Sequence, residues 1–196
     1  MNIISSLQSI DMSLNNLLVD IGFIAPIIST ILIYLESLFA FLPLVVFITI
    51  NTKTLGFVLG VLVSWIFTTL GGFTVSFLCR KGFSKFFNKN LRKKKKIRNF
   101  MKMIEGLSFQ KMVLIISIPL MPSFLINVCS GLSKIEFKKY FYALAIGKIF
   151  IVTFWSYVGN NVIECLTDPA KIVKVILLML FTFVLTKIVS KKLNIE

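Results

Sequence analysis

Residues 37–52 read SLFAFLPLVVFITINT, and residues 112–133 read MVLIISIPLMPSFLINVCSGLS. Neither stretch carries a charge. Proline interrupts both, at Pro43 in the first and at Pro119 and Pro122 in the second. Uncharged apolar runs of this kind belong in a bilayer. Proline breaks a helix there, because it has no N–H to donate and its ring collides with the preceding turn. Ser37–Ile50 is too short to cross a hydrocarbon core that needs about 20 helical residues, but it fits a segment that dips in and returns. Each broken block is followed by a longer, glycine-bearing one. The pattern predicts two re-entrant hairpins facing each other, an arrangement that builds a substrate site at the bilayer midplane.

The composition agrees with a membrane reading. Apolar residues make up 57% of the 196-residue chain, above the 45–50% or so of a soluble domain. The length leaves no room for a second globular domain, so residues 21–192 are read as one membrane domain. Met1–Asp20 is polar and weakly amphipathic, and is read as an interfacial segment; residues 193–196 form a tail. There are 20 Phe against 2 Trp and 4 Tyr, which suits lipid contact and leaves few interface anchors. Cys79, Cys129 and Cys165 show no paired spacing, so no structural disulfide is expected. The absence of histidine removes the commonest metal ligand and general base. No nucleophile has a base beside it in the sequence, and no set of metal ligands is evident. The expectation is a chain that is not an enzyme and needs no metal or cofactor.

Four spans are expected. Ile21–Leu35 is a short first one, ended by Glu36. Thr54–Cys79 is a charge-free second with Gly56 and Gly60 as a GxxxG pair, a signature of close helix approach. Tyr140–Val158 and Ile172–Val189 complete the set. Hairpin one covers about 36–53 and hairpin two about 112–133, with a short interfacial helix at Ser133–Lys139 and a loop at Gly159–Pro169.

The formal net charge is +14, and much of it sits in residues 80–104, a basic loop containing RKKKK at Arg92–Lys96. Lysine and arginine bias puts that loop and the C-terminus in the cytoplasm. The hairpins then open on opposite sides, as an inverted repeat, and the first span runs outward from a cytoplasmic N-terminus. A basic cluster beside a span attracts anionic lipid, and between two membrane segments this explains it better than nucleic-acid binding.

Several residues stand out as candidates. Glu36 is a costly carboxylate within a membrane domain; it either faces substrate and protons or caps a helix. Pro43, Pro119 and Pro122 free backbone groups that a polar ligand or water can satisfy. Asn127 offers an amide to a headgroup or to a broken backbone. Arg80 and Lys81 can hold a phosphate, Arg in bidentate fashion, or simply mark the cytoplasmic side. Lys148 either snorkels to the surface or pairs with Glu36.

LESLFAFLPLVVF (Leu35–Phe47), GFVLGVLVSWIFTTLGGFTVSFLCRKG (Gly56–Gly82), IPLMPSFLINVCSGLSKIEF (Ile118–Phe137) and IGKIFIVTFWSYVGN (Ile146–Asn160) resemble the DedA superfamily of SNARE-associated or VTT-domain membrane proteins, and more closely its Tvp-type branch. The Pro119-x-x-Pro122 element with Asn127 and Gly131 carries most of that resemblance. The resemblance implies an all-α integral membrane fold with two opposed re-entrant hairpins. It also implies movement of a phospholipid or polyprenyl-phosphate lipid across a bacterial plasma membrane, with proton coupling and a homo-oligomer as further expectations. Three positions depart from the better-studied bacterial branch: Ile116 and Pro122 replace arginines, and Val45 replaces an acid. A later proline of the Tvp-type pattern is absent near Phe150. The other class of function is a membrane scaffold that transports nothing and uses the GxxxG span to hold a partner.

Overall fold

The computed structural model describes Gly22 and residues 24–39, 43–81, 95–119 and 121–167, with backbone only for Phe39, Lys95, Lys96 and 161–167. The interfacial segment 1–20, most of the Arg92–Lys96 run, the span 172–189 and the tail 193–196 lie outside the described residues. Among the described residues every element is a helix: α1 (Ile24–Phe39), α2 (Leu44–Leu55), α3 (Phe57–Lys81), α4 (Lys95–Glu105), α5 (Phe109–Ser117), α6 (Ser123–Leu132) and α7 (Phe137–Thr167).

Two of them, α3 and the Phe137–Asn160 part of α7, are long and apolar enough to cross a membrane. They run antiparallel. At one end the Arg80 guanidinium of α3 lies 5.0 Å above the Phe137 ring. At the other, Asn160 of α7 donates to Thr52 Oγ1 beside the α2–α3 corner, at 2.8 Å. Between these ends the Trp65 indole donates to Ala145 O at 2.7 Å.

The two broken segments pack against this pair. Both helices that follow a break begin directly after a proline in nearly the same conformation: Pro43 at φ −74, ψ 90 before α2, and Pro122 at φ −68, ψ 95 before α6. A helix start has no use for the missing N–H, and each proline carbonyl accepts an early helical bond, from Val46 N–H and Leu125 N–H respectively. Two of the packings correspond across the halves, although α2 also packs closely on α1 and α3 of its own half as α6 does not on α5 or α7. α1 lies along α3 as α5 lies along α7, and α2 packs on α7 as α6 packs on α3.

The face that α3 turns inward is small and polar, while its outward face is apolar. On α3, Gly60, Ser64, Thr68, Gly72 and Ser76 recur every fourth residue and are buried. Leu59, Leu62, Ile66, Leu70 and Phe77 point outward and are exposed. Exposed apolar surface of that extent is a liability in water and is at home in lipid tails. Small residues let backbones approach, the usual means of joining helices in a bilayer. A Cβ on Gly60 would sit 2.5 Å from Thr52 Cα, and one on Gly131 would sit 2.4 Å from Ser76 O. The GxxxG pair is therefore divided. Gly60 takes α2 against α3, whereas Gly56 (φ 80, ψ 161) is the corner between them, in a region essentially closed to other residues.

Several sequence expectations need correction. Glu36 does not open a new segment: α1 runs through it to Phe39, since glutamate is a good helix former, and the next described helix begins at Leu44. Ile21–Leu35 is consequently no separate outward span. It belongs mostly to α1, which lies parallel to α3: Thr30 meets the Asn51–Ser64 region near the start of α3, and Ser37 faces Gly71 further along. Residue 24 therefore lies at the α3-start side. Within 80–104, residues 95–105 form a helix, because Ile97, Phe100, Met101 and Ile104 make an apolar stripe that packs on the α5–α6 core. Ser133–Glu136 is not helical and α7 begins at Phe137. α7 continues to Thr167, so the loop expected from Gly159 starts at least eight residues later.

Gly60→Ala should lower stability by about 1–3 kcal/mol, since its Cβ meets backbone, while Gly106→Ala, whose Cβ would rest 3.6 Å from Met103 O, should change it little. Unfolding of both variants in detergent, followed by circular dichroism, checks this.

Candidate functional site

One face of α7 organises the interior. Tyr140, Leu144, Lys148, Val152 and Ser156 recur every fourth residue and are all buried, with half-buried Asn160 continuing the line. At 1.5 Å per residue, Tyr140 to Asn160 covers about 30 Å, the thickness of a hydrocarbon core. Each end of that stripe holds one of the helices that follow a proline break.

At the Tyr140 end the partner is Asn127 of α6, only 1% exposed. The Tyr140 hydroxyl donates to Asn127 Oδ1 at 2.7 Å, and Ser76 Oγ of α3 donates to the Asn127 carbonyl at 2.7 Å. Gly72 makes room: a Cβ there would lie 3.0 Å from Asn127 Nδ2. That amide nitrogen has no hydrogen-bond partner, and neither have Ser130 Oγ, Thr69 Oγ1 and Ser156 Oγ, although all four are buried. Unpartnered buried polar atoms are expensive, and a ligand or water that entered would be bonded at once. Gly131, one turn beyond Asn127, is the point where α6 touches Ser76 and Cys79 of α3.

At the Asn160 end the corresponding amide is Asn51 of α2, fully buried. Its Nδ2 donates to Thr30 Oγ1 at 3.2 Å and to Ser64 Oγ at 3.1 Å, and its Oδ1 accepts from Ser29 Oγ. A single side chain therefore joins α1, α2 and α3. Sequence reading takes Asn51 as the close of the first apolar run, eight residues after Pro43 as Ser130 is after Pro122, and takes Tyr140 only as the start of a span. The signal for both was present: an amide eight residues after Pro43, and a hydroxyl at the head of a four-residue repeat ending in Asn160.

Lys148 sits between these clusters, about 12 Å along the helix from Tyr140 and about 18 Å from Asn160. It is 1% exposed, so it does not snorkel: the residues flanking it on the stripe, Leu144 and Val152, are themselves buried, and its stem is enclosed with them. The preceding residue, Gly147, packs against Ile116 and Val113 of α5. Glu36, half-buried near the end of α1, lies close enough for the two charges to attract each other.

The other candidates lie elsewhere. Arg80 is occupied by backbone: its Nη2 donates to Ser133 O at 3.2 Å and to Ile135 O. Lys81 is exposed, 4.8 Å above the Phe77 ring. Pro43 and Pro122 are exposed at the two breaks and Pro119 is half-buried. Among the described residues no group of three or more cysteine, aspartate or glutamate side chains converges as a metal site would require.

Residues 36–161, nearly the whole of this arrangement, match the VTT domain. The chain belongs to the VTT-domain family. It is similar to a protein of Bacillus subtilis (strain 168) named "Uncharacterized membrane protein YhjE", with 29% identity over 171 residues, covering 87% of this chain and 83% of that one. It is also similar to "Uncharacterized protein YqeD" of the same organism, with 26% identity over 140 residues, covering 71% of this chain and 67% of the other. No solved structure matches the chain. As a VTT-domain membrane protein, it places its buried amides, its buried lysine and both proline breaks inside the matched region.

Tyr140→Phe removes the bond to Asn127 Oδ1 and leaves both ends of that amide unpartnered. It should cost about 1–3 kcal/mol, more than Tyr142→Phe on the exposed face. Thermal unfolding of the two variants in one detergent compares them.

Proposed function

We propose that this VTT-domain protein moves a phospholipid or polyprenyl-phosphate lipid across a bacterial inner membrane, in the manner of a flippase or scramblase. The observation that carries the reading is Lys148, a cation enclosed at mid-length of a membrane-crossing helix. A charge at that depth costs on the order of 2.5–3.5 kcal/mol or more, and such residues mark substrate and ion pathways. A phosphate headgroup passing the interior would meet Lys148, and the unpartnered Asn127 Nδ2 and Ser130 Oγ would be available to it on the α6 side. Ile116, the position where the better-studied branch carries an arginine, packs on Gly147 beside Lys148, which supports Lys148 as the cation serving that region from the opposite helix. Glu36 is the residue through which a proton gradient would be coupled.

Two opposed re-entrant hairpins are supported by the matched proline starts of α2 and α6. They are also supported by Ser37, two residues before the end of α1, which lies level with Gly71, about 15 Å short of the end of α3. The Ile118–Phe137 element supports the Tvp-type branch. Positive-inside bias supports a cytoplasmic location for the basic segment and the C-terminus. The reading needs no enzymatic step, no cofactor and no nucleic acid. Function as a homo-oligomer is compatible with it. The scaffold reading relied on the GxxxG span to reach a partner, yet Gly60 is already filled by α2 of the same chain.

The test is lipid translocation in proteoliposomes with fluorescent phosphatidylethanolamine and phosphatidylglycerol, with and without a pH gradient. Lys148→Met keeps the stem and removes the charge, and Glu36→Gln keeps the shape. Both should fold, and translocation should fall roughly tenfold or more, equivalent to about 1.4 kcal/mol. Pro119→Ala with Pro122→Ala should also reduce it. Wild-type rates in Lys148→Met would overturn the reading.

A further inference from the structure

The linker between α6 and α7, Ser133–Glu136, is held from three sides. Arg80, at the end of α3, donates to Ser133 O and Ile135 O and covers the Phe137 ring. Glu105, at the end of α4, accepts the Lys134 N–H at 2.9 Å. Lys139 Nζ donates to Leu107 O at 2.7 Å, which ties the start of α7 to the chain just beyond α4. One face of α4 packs into the core through Met101 and Ile104. The opposite face presents Arg98, Lys102 and Glu105 at helical spacing, and all three are exposed. Lys134 and Lys138 are exposed beside it, with Glu136 among them.

This charged face has a fixed level. Both membrane-crossing helices terminate in it: α3 ends at Lys81 and α7 starts at Phe137. Charges at the ends of such helices stand among lipid headgroups. Lys139 and Arg80 are committed to carbonyls, and Glu105 is engaged by a backbone amide. Four exposed cations then outweigh Glu136.

We propose that Arg98, Lys102, Lys134 and Lys138 form a docking surface for anionic phospholipid headgroups, and that occupation of this surface holds the linker and so fixes the exit of the second hairpin. The partner is a negatively charged leaflet, because the surface lies where two spans end and an approaching macromolecule would have to displace lipid to cover it. Docking pulls α4 and Lys134 to the same headgroup layer and reinforces the Glu105–Lys134 contact between them. This inference stands apart from lipid translocation. It concerns headgroups that bind at the rim and stay there.

The full-length protein in nanodiscs of phosphatidylcholine, with or without phosphatidylglycerol, provides the test. Lipid retained on extraction is measured by native mass spectrometry, and hydrogen exchange is followed across residues 133–136. The wild type should retain phosphatidylglycerol over phosphatidylcholine, with roughly a fivefold preference for each basic residue engaged. The preference should collapse near 1 M salt, where screening acts beyond about 3 Å. Linker exchange should slow several-fold when phosphatidylglycerol is present. Replacing Arg98, Lys102, Lys134 and Lys138 together by Gln should lower the preference severalfold and abolish the slowing, the rest of the basic 80–96 stretch remaining in place. Glu105→Ala should keep the lipid preference and lose the slowing, which separates docking from its transmission. Equal retention of the two lipids by the wild type would overturn the proposal, as would a preference left unchanged by the fourfold replacement. Displacement of phosphatidylglycerol by a short oligonucleotide or by polyglutamate at low salt would also overturn it, and would assign the face to nucleic acid or to an acidic protein.

Discussion

The thinness of α3 is the constraint on which the rest of the molecule depends. A helix that ends inside a bilayer leaves amides and carbonyls with no water to satisfy them. Such an end survives only if protein surrounds it closely. Gly60, Ser64, Gly71, Gly72 and Ser76 remove bulk from α3 at the positions where α1, α2 and α6 arrive. Larger side chains there would push the three helices outward. The prolines create the interruptions, and the small stripe makes them tolerable.

The same stripe inverts the usual relation between inside and outside. Leucine, isoleucine and phenylalanine cover the exterior of α3, and serine, threonine and asparagine fill the spaces between helices. Hydrophobic burial supplies little of the cohesion in such an interior, because lipid tails are as apolar as the residues they touch. Cohesion comes from close backbone contact and from bonds such as Tyr140–Asn127 and Asn51–Ser64. Apolar packing regains its role at the α4–α6 end, where Met101, Ile104, Met112 and Leu132 join one cluster.

The broad architecture was legible because its causes are local. An uncharged run with a proline at its centre announces a broken apolar helix whatever surrounds it. Three of the differences share one origin, which is that a charge reads locally as a boundary or a surface marker. Glu36 looked like the end of a span, but α1 runs through it. Lys148 looked able to reach the interface, yet neighbouring helices enclose it. In 95–105 the dense lysines hid a stripe of four apolar residues spaced for a helix. The pairing of Asn127 with Tyr140 depends on two helices meeting, and no spacing in the chain announces it.

Trp65 has an optical consequence. Its indole N–H is bonded to Ala145 O, three residues before Lys148 on the same helix, and so bridges the two membrane-crossing helices. The other tryptophan, Trp155, stands edge-on to Phe154 further along α7. With Trp155 replaced by Phe, emission would come from one chromophore at the seam between α3 and α7. Its wavelength would follow the polarity of that seam. The protein thus carries a built-in fluorescent gauge of whether its interior opens to water.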